Sequence, residues 1–136
     1  MTPAQKARHL VLIRHEEFGD DPETIEFATA LTPEAVDEQF AALADNNEHW
    51  DAMNEVREGQ FETELPCDYS RNYESKAVAA KYLDGSYVGW TYWYGGGKHS
   101  DPESIEWIDE AYDVDCVEEE KLVVVRTFSV PAPIPA

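Results

Sequence analysis

The chain predicts an α+β domain, with an antiparallel or mixed sheet of about five strands and two to three helices packed on one face. Three observations carry that prediction. Apolar residues recur at helical spacing between positions 33 and 58, β-rich or alternating runs fill much of the remainder, and Asp84-Gly85 joins two such runs as a hairpin.

His9 to Arg14 (HLVLIR) is an apolar run of strand length, and Gly19-Asp20-Asp21-Pro22 marks a turn. From Thr24 to Leu31, Ile25, Phe27, Thr29 and Leu31 alternate with Thr24, Glu26, Ala28 and Ala30, the period of a half-buried strand. A helix over 22 to 30 is the rival reading, because Asp21-Pro22-Glu23 has the form of a helix start. The strand is preferred, since Thr32-Pro33-Glu34 opens another helix at once and leaves the rival short. The helix from 33 to about 45 aligns Val36, Phe40 and Leu43. A second, roughly 48 to 58, places Trp50, Met53 and Val56 on one side and stops at Gly59.

Residues 60 to 74 read as irregular, with a short strand at 61 to 65. Ser75 to Tyr82 and Ser86 to Tyr94 form the hairpin. After Gly95-Gly96-Gly97, Ser100 with Glu103, or Asp101 with Pro102, starts a helix over 101 to 112 that turns Ile105, Ile108 and Tyr112 inward. Lys121 to Val130 (KLVVVRTFSV) is the most strongly β stretch of the chain. The prolines after it cannot extend a ladder, so the organisation reads as one domain, 1–130, and a disordered tail, 131–136. DPETIEF at 21 and DPESIEW at 101 nearly repeat, which reads as reuse of a helix-start phrase rather than a duplicated unit.

At 136 residues, 43% apolar and 12% aromatic, the chain is large enough to bury a core without metal or disulfides. It has no apolar run of membrane-spanning length and no signal-peptide pattern at its start, so a cytoplasmic location is expected, with Cys67 and Cys116 as free thiols. The charge is the outlier. Twenty-nine acidic residues against ten basic give a formal −19, and neither 15–56 nor 99–120 contains a Lys or Arg. Such a surface repels nucleic acid and anionic membrane, so direct binding to either is disfavoured.

The loop Gly95–Ser100 before a helix start could cradle an anion, although His99 stands where a Walker loop needs Ser or Thr, and Asp101 and Glu103 occupy the first turn. Nucleophilic catalysis would need Cys67 or Cys116 beside His9, His15, His49 or His99. The carboxylates flanking each cysteine disfavour the thiolate. A metal could in principle use His15-Glu16-Glu17 or His99 with Asp101, but no ligand spacing supports it. The expectation is therefore no catalytic set, no cofactor and no metal.

Two features point to contact with another protein. On the aromatic strand, Val88, Trp90, Tyr92 and Tyr94 share one face and Tyr87, Gly89, Thr91 and Trp93 the other, so Trp90 or Trp93 is expected to be presented as an anchor. The stronger feature is electrostatic. Glu48, Asp51, Glu55 and Glu58 fall at i, i+3, i+7 and i+10, and Glu103, Glu106, Glu110 and Asp113 repeat that spacing. On helices each set would make one stripe stepping about 5 Å along the axis, near the spacing of backbone phosphates. Like charges so placed oppose the helix, which suggests a use beyond stability. The expected function is a small non-catalytic interaction protein, of the kind a mobile element encodes as an inhibitor, occupying a basic nucleic-acid-binding surface of a larger protein. The alternatives are an enzyme or small-ligand binder using Gly95–Ser100 beneath Trp90 and Trp93, and a halophile's housekeeping domain whose charge has no specific partner.

Overall fold

The computed structural model describes residues 1–98 and 100–134. Four helices come first, α1 (Pro3–Gly19), α2 (Pro22–Thr29), α3 (Pro33–Asp45) and α4 (Trp50–Arg57). Four strands come after them, β1 (Phe61–Glu62), β2 (Glu74–Lys81), β3 (Tyr87–Tyr94) and β4 (Tyr112–Val114), with a 3-10 turn at Pro102–Ser104 between the last two. The strands form an antiparallel meander in the order β1-β2-β3-β4. The fold is α+β, with one strand fewer and more helix than expected. No helix is long and apolar enough to cross a membrane.

α1 overturns the strand expected at His9–Arg14. Thr2 caps it with a capping box: its hydroxyl accepts from Gln5 N (3.2 Å) and Gln5 Oε1 accepts from Thr2 N (2.9 Å), with Pro3 in the first turn. The apolar run is continuous because α1 is the central element, touching α2, α3, α4 and β3. Val11, Leu12, Ile13 and His9 are all buried, so the helix lacks the single apolar stripe that would have revealed it. His9 is held by two partners. Its Nε2 donates to the Ala28 carbonyl (2.7 Å), which leaves Nδ1 to accept from the Tyr82 hydroxyl (2.6 Å).

α2 overturns the second expected strand, at Thr24–Leu31. Asp21 accepts from Glu23 N (3.0 Å) and Pro22 opens the helix, which is the rival reading. The alternation had no buried face to serve, since Ala28 is the buried residue and Phe27 is 68% exposed. α3 and α4 lie close to their expected positions.

The hairpin forms as expected, in the register Glu74↔Tyr94 to Lys81↔Tyr87. Tyr82 N bonds to Ser86 O (2.7 Å), and Gly85 takes the positive φ of 88° that the turn requires. One sheet face, through Val78, Ala80, Val88 and Trp90, packs on Ala7, Val11 and Ala52 of the helices. On the other face Gly89 is covered by side chains of β4, which pairs beside it. A Cβ there would meet Val114 Cγ2 at 2.6 Å and the Tyr112 ring at 3.0 Å, so the dip at glycine is filled by the neighbouring strand.

The helix expected over 101–112 is absent. Only the 3-10 turn Pro102–Ser104 forms, and Ile105 is already extended (φ −71°, ψ 126°). Trp107 explains the departure. It is buried, its ring centroid 4.8 Å from that of Trp90, and Ile108 joins the same core cluster. A helix turning Ile105, Ile108 and Tyr112 inward would aim Trp107 away from the sheet. Burying a Trp outweighs a helix cap, about 3–5 against about 1 kcal/mol.

The strand expected at Lys121–Val130 does not join the sheet. Among the described residues no strand comes after Val114, and the segment is exposed. β-propensity measures fit to a neighbouring strand, and among the described residues this segment has none.

Candidate functional site

The site is built on α4, whose two sides differ in kind. Ala52 and Arg57 are buried and Met53 and Val56 pack on the core, while Glu48, Asp51, Glu55 and Glu58 are exposed. Asp51 and Glu55 lie within the helix, Glu58 is its C-cap and Glu48 precedes the N-cap His49, so the expected stripe survives over about two turns. Arg57 fixes the helix to the sheet. Its guanidinium donates to the Trp93 carbonyl (2.6 Å), sits 4.9 Å from the centre of the Tyr92 ring, and its own carbonyl accepts from Trp90 Nε1 (2.8 Å). A buried, charge-assisted contact thus orients an acidic outer face. Glu55 is tied to Arg14 of α1, Oε2 to Nε at 2.5 Å, and this hydrogen bond is the first cause holding the Arg14 guanidinium above its usual range. The other three carboxylates of the stripe have no cation within ion-pair distance among the described residues.

The second set, Glu103, Glu106, Glu110 and Asp113, is not a helical stripe, because its helix does not form. Glu103 is half-buried in the 3-10 turn and Asp113 lies in β4, 3.5 Å from Lys6 Nζ. Glu106 accepts from Asp109 N (3.0 Å), while Asp109 and Asp37 share Arg8 at 2.6 and 3.1 Å. These ion pairs tie the segment to α1 and α3 instead of presenting a row of charge.

Trp90 and Trp93 are both buried, which corrects the expected aromatic anchor. The strand's half-exposed aromatics are Tyr92 and Tyr94, stacked at 5.2 Å with Lys76 near both rings and paired to Glu62 (2.6 Å). The Gly95–Ser100 loop is closed on itself. The Ser100 hydroxyl lies 2.8 Å from the Gly95 carbonyl and 2.7 Å from that of Gly97, and all three glycines have positive φ. The loop leads into a three-residue turn, not an α-helix, so the dipole an anion cradle would use is missing. His99 lies outside the described residues, and with it the metal and thiol pairings that invoked it.

Among the other chemical candidates, Cys67 and Cys116 are free and exposed, and His9 is committed to Tyr82 and Ala28. Among the described residues no group of three or more His, Cys, Asp or Glu gathers as metal ligands. Sequence reasoning missed Arg57 as the residue that positions the acidic face. Its only signal was a lone Arg in the last turn of an otherwise acidic helix. No protein-family model, curated protein or solved structure matches this chain.

Proposed function

We propose that the protein is a small, cytoplasmic, non-catalytic interaction protein whose acidic α4 face docks on a basic surface of a larger protein, where that surface otherwise holds nucleic acid. An inhibitor encoded by a mobile element is the role such chemistry suits. One observation carries the reading: seven of the 29 carboxylates make ion pairs among the described residues, so 22 are left without an internal cation there. The surface charge is not neutralised by the fold, and α4 offers part of it on a backbone held by Arg57.

The test is capture from a cell extract. Partners should be nucleic-acid-handling proteins, should be released by excess duplex DNA, and should be lost steeply as salt rises, because exposed charges are screened over about 10 Å at 0.1 M. Replacing Glu48, Asp51, Glu55 and Glu58 together by their amides should slow association with the captured partner by at least tenfold and leave the circular dichroism unchanged. Replacing Glu103, Glu106, Glu110 and Asp113 should slow it less. Unchanged binding by the α4 variant rejects this face as the contact.

A further inference from the structure

The segment expected to be a fifth strand stands out from the body of the molecule. Leu122, Val123, Val124, Val125, Phe128 and Val130 are each at least 73% exposed, more contiguous apolar surface than monomeric proteins ordinarily leave in water. Leu122, Val124, Phe128 and Val130 fall on one face of an extended chain, with Arg126 at its centre. The segment also carries Lys121 and Arg126 and no acid, so its local charge is +2 while the rest of the chain carries −21.

The body offers a complementary place. Between β1 and the chain leaving β4 lies a groove of about 330 Å³, whose apolar lining includes Phe61, Leu65, Ala79, Tyr87, Val114 and Val117, with Glu62 and Asp115 also at its walls. β1 is one of the two edge strands of the sheet, and among the described residues nothing pairs with its outer side. An open edge beside an apolar groove is the arrangement to which an extended segment adds by strand pairing.

The chain's own arm is poorly placed to fill its own groove. The Tyr87 hydroxyl donates to Glu118, which pins the backbone at the groove mouth. A return would then have to reverse within Glu118-Glu119-Glu120, three carboxylates with no Gly, Pro, Asn or Asp to make the turn. A second molecule needs no reversal, and a two-fold exchange fills both grooves.

We propose that Lys121–Val130 of one copy adds as a strand to β1 of a second copy, with Leu122, Val124, Phe128 and Val130 continuing the groove's apolar lining past Phe61, giving a reciprocal strand-exchanged dimer. The acidic α4 face is not part of this contact, so the proposal stands or falls separately from the function proposed above.

Light scattering on the full chain should give twice the 15.4 kDa chain mass. Ending the chain at Glu120 should give a monomer with unchanged circular dichroism. Val124→Pro, which removes a ladder donor, should raise the dissociation constant at least tenfold. Phe61→Glu should also give a monomer by blocking the groove; Phe61 is 53% exposed, so the fold tolerates the change. Mixing the truncated chain, which keeps its groove, with the Phe61→Glu chain, which keeps its arm, should give a heterodimer held by one arm, weaker than the reciprocal dimer. A monomeric full chain, or a chain that stays dimeric after truncation at Glu120, overturns the proposal.

Discussion

Asp21–Phe27 (DPETIEF) and Asp101–Trp107 (DPESIEW) differ at two positions and fold differently. The first begins α2, with Asp21 capping Glu23 N and Phe27 turned to solvent. The second makes one 3-10 turn and then runs extended, with Trp107 against Trp90. The start signal is the same in both, so the signal does not decide the outcome. What differs is the seventh residue and what lies within its reach. Phe27 has no site to fill, so local capping prevails. Trp107 faces a core position between the sheet and the helices, and the backbone gives up its helical bonds to reach it. The same contrast separates the two acidic sets: α4 can keep its carboxylates outward because Met53, Val56 and Arg57 anchor one helical side, whereas the path of residues 103–113 is set by Trp107 and Ile108.

The largest effect expected is at that seventh residue. Trp107→Ala should cost about 3–5 kcal/mol in urea unfolding, and Phe27→Ala within about 0.5. Equal costs would break the comparison. Trp107→Phe sharpens it, making the two heptapeptides alike but for one residue. The segment should stay non-helical by circular dichroism, because Phe still seeks the core. Next in size is Gly89→Ala, expected to cost about 1–3 kcal/mol by driving a Cβ into Val114 and Tyr112. Amide exchange should show β4 loosening while α2 keeps its protection. Asp21→Ala should then cost about 1 kcal/mol as a lost cap. Asp101→Ala should be nearly neutral, since the Asp101 side chain caps nothing.

The smallest effect concerns a carboxylate placed by donors rather than by charge pattern. Asp84 accepts from the Ser86 hydroxyl (2.5 Å) and Ser86 N (2.9 Å), and the hydroxyl bond is the first cause holding its carboxyl below the usual range. A depressed folded-state pKa adds stability above the unfolded-state value, about 3.9, and that stability is lost as pH falls through the folded-state value. Asp84→Asn should therefore flatten the acid limb of the stability profile below about pH 4. A limb unchanged by the substitution would show that Asp84 has no privileged role among the 29 carboxylates.

The elements legible from sequence were those whose signals are local and go unopposed. α3 has its Thr32 cap, Pro33 and one apolar side, and the hairpin has Asp84-Gly85 between two β-rich runs. Of the acidic site, the α4 set could be read, because one-sided burial leaves a helical period in the sequence. α1 escaped, although Thr2-Pro3-Ala4-Gln5 announces its start, because a helix surrounded by others reads as a continuous apolar run. Arg57 escaped as well, since a cation in a last turn is ordinary until it meets the Trp93 carbonyl.

Composition and local residue order alone determined the −19 charge, the absence of Lys and Arg from 15–56 and 99–120, and the helix-start phrases at Asp21, Thr32 and Asp101. Tertiary structure decided which start signals became helices, which charges found cations and whether the β-rich Lys121–Val130 paired within the chain. The physical reason is one of scale. A cap or a propensity contributes about 1 kcal/mol and acts within a few residues, while burial of one large side chain contributes several and depends on residues distant in the chain.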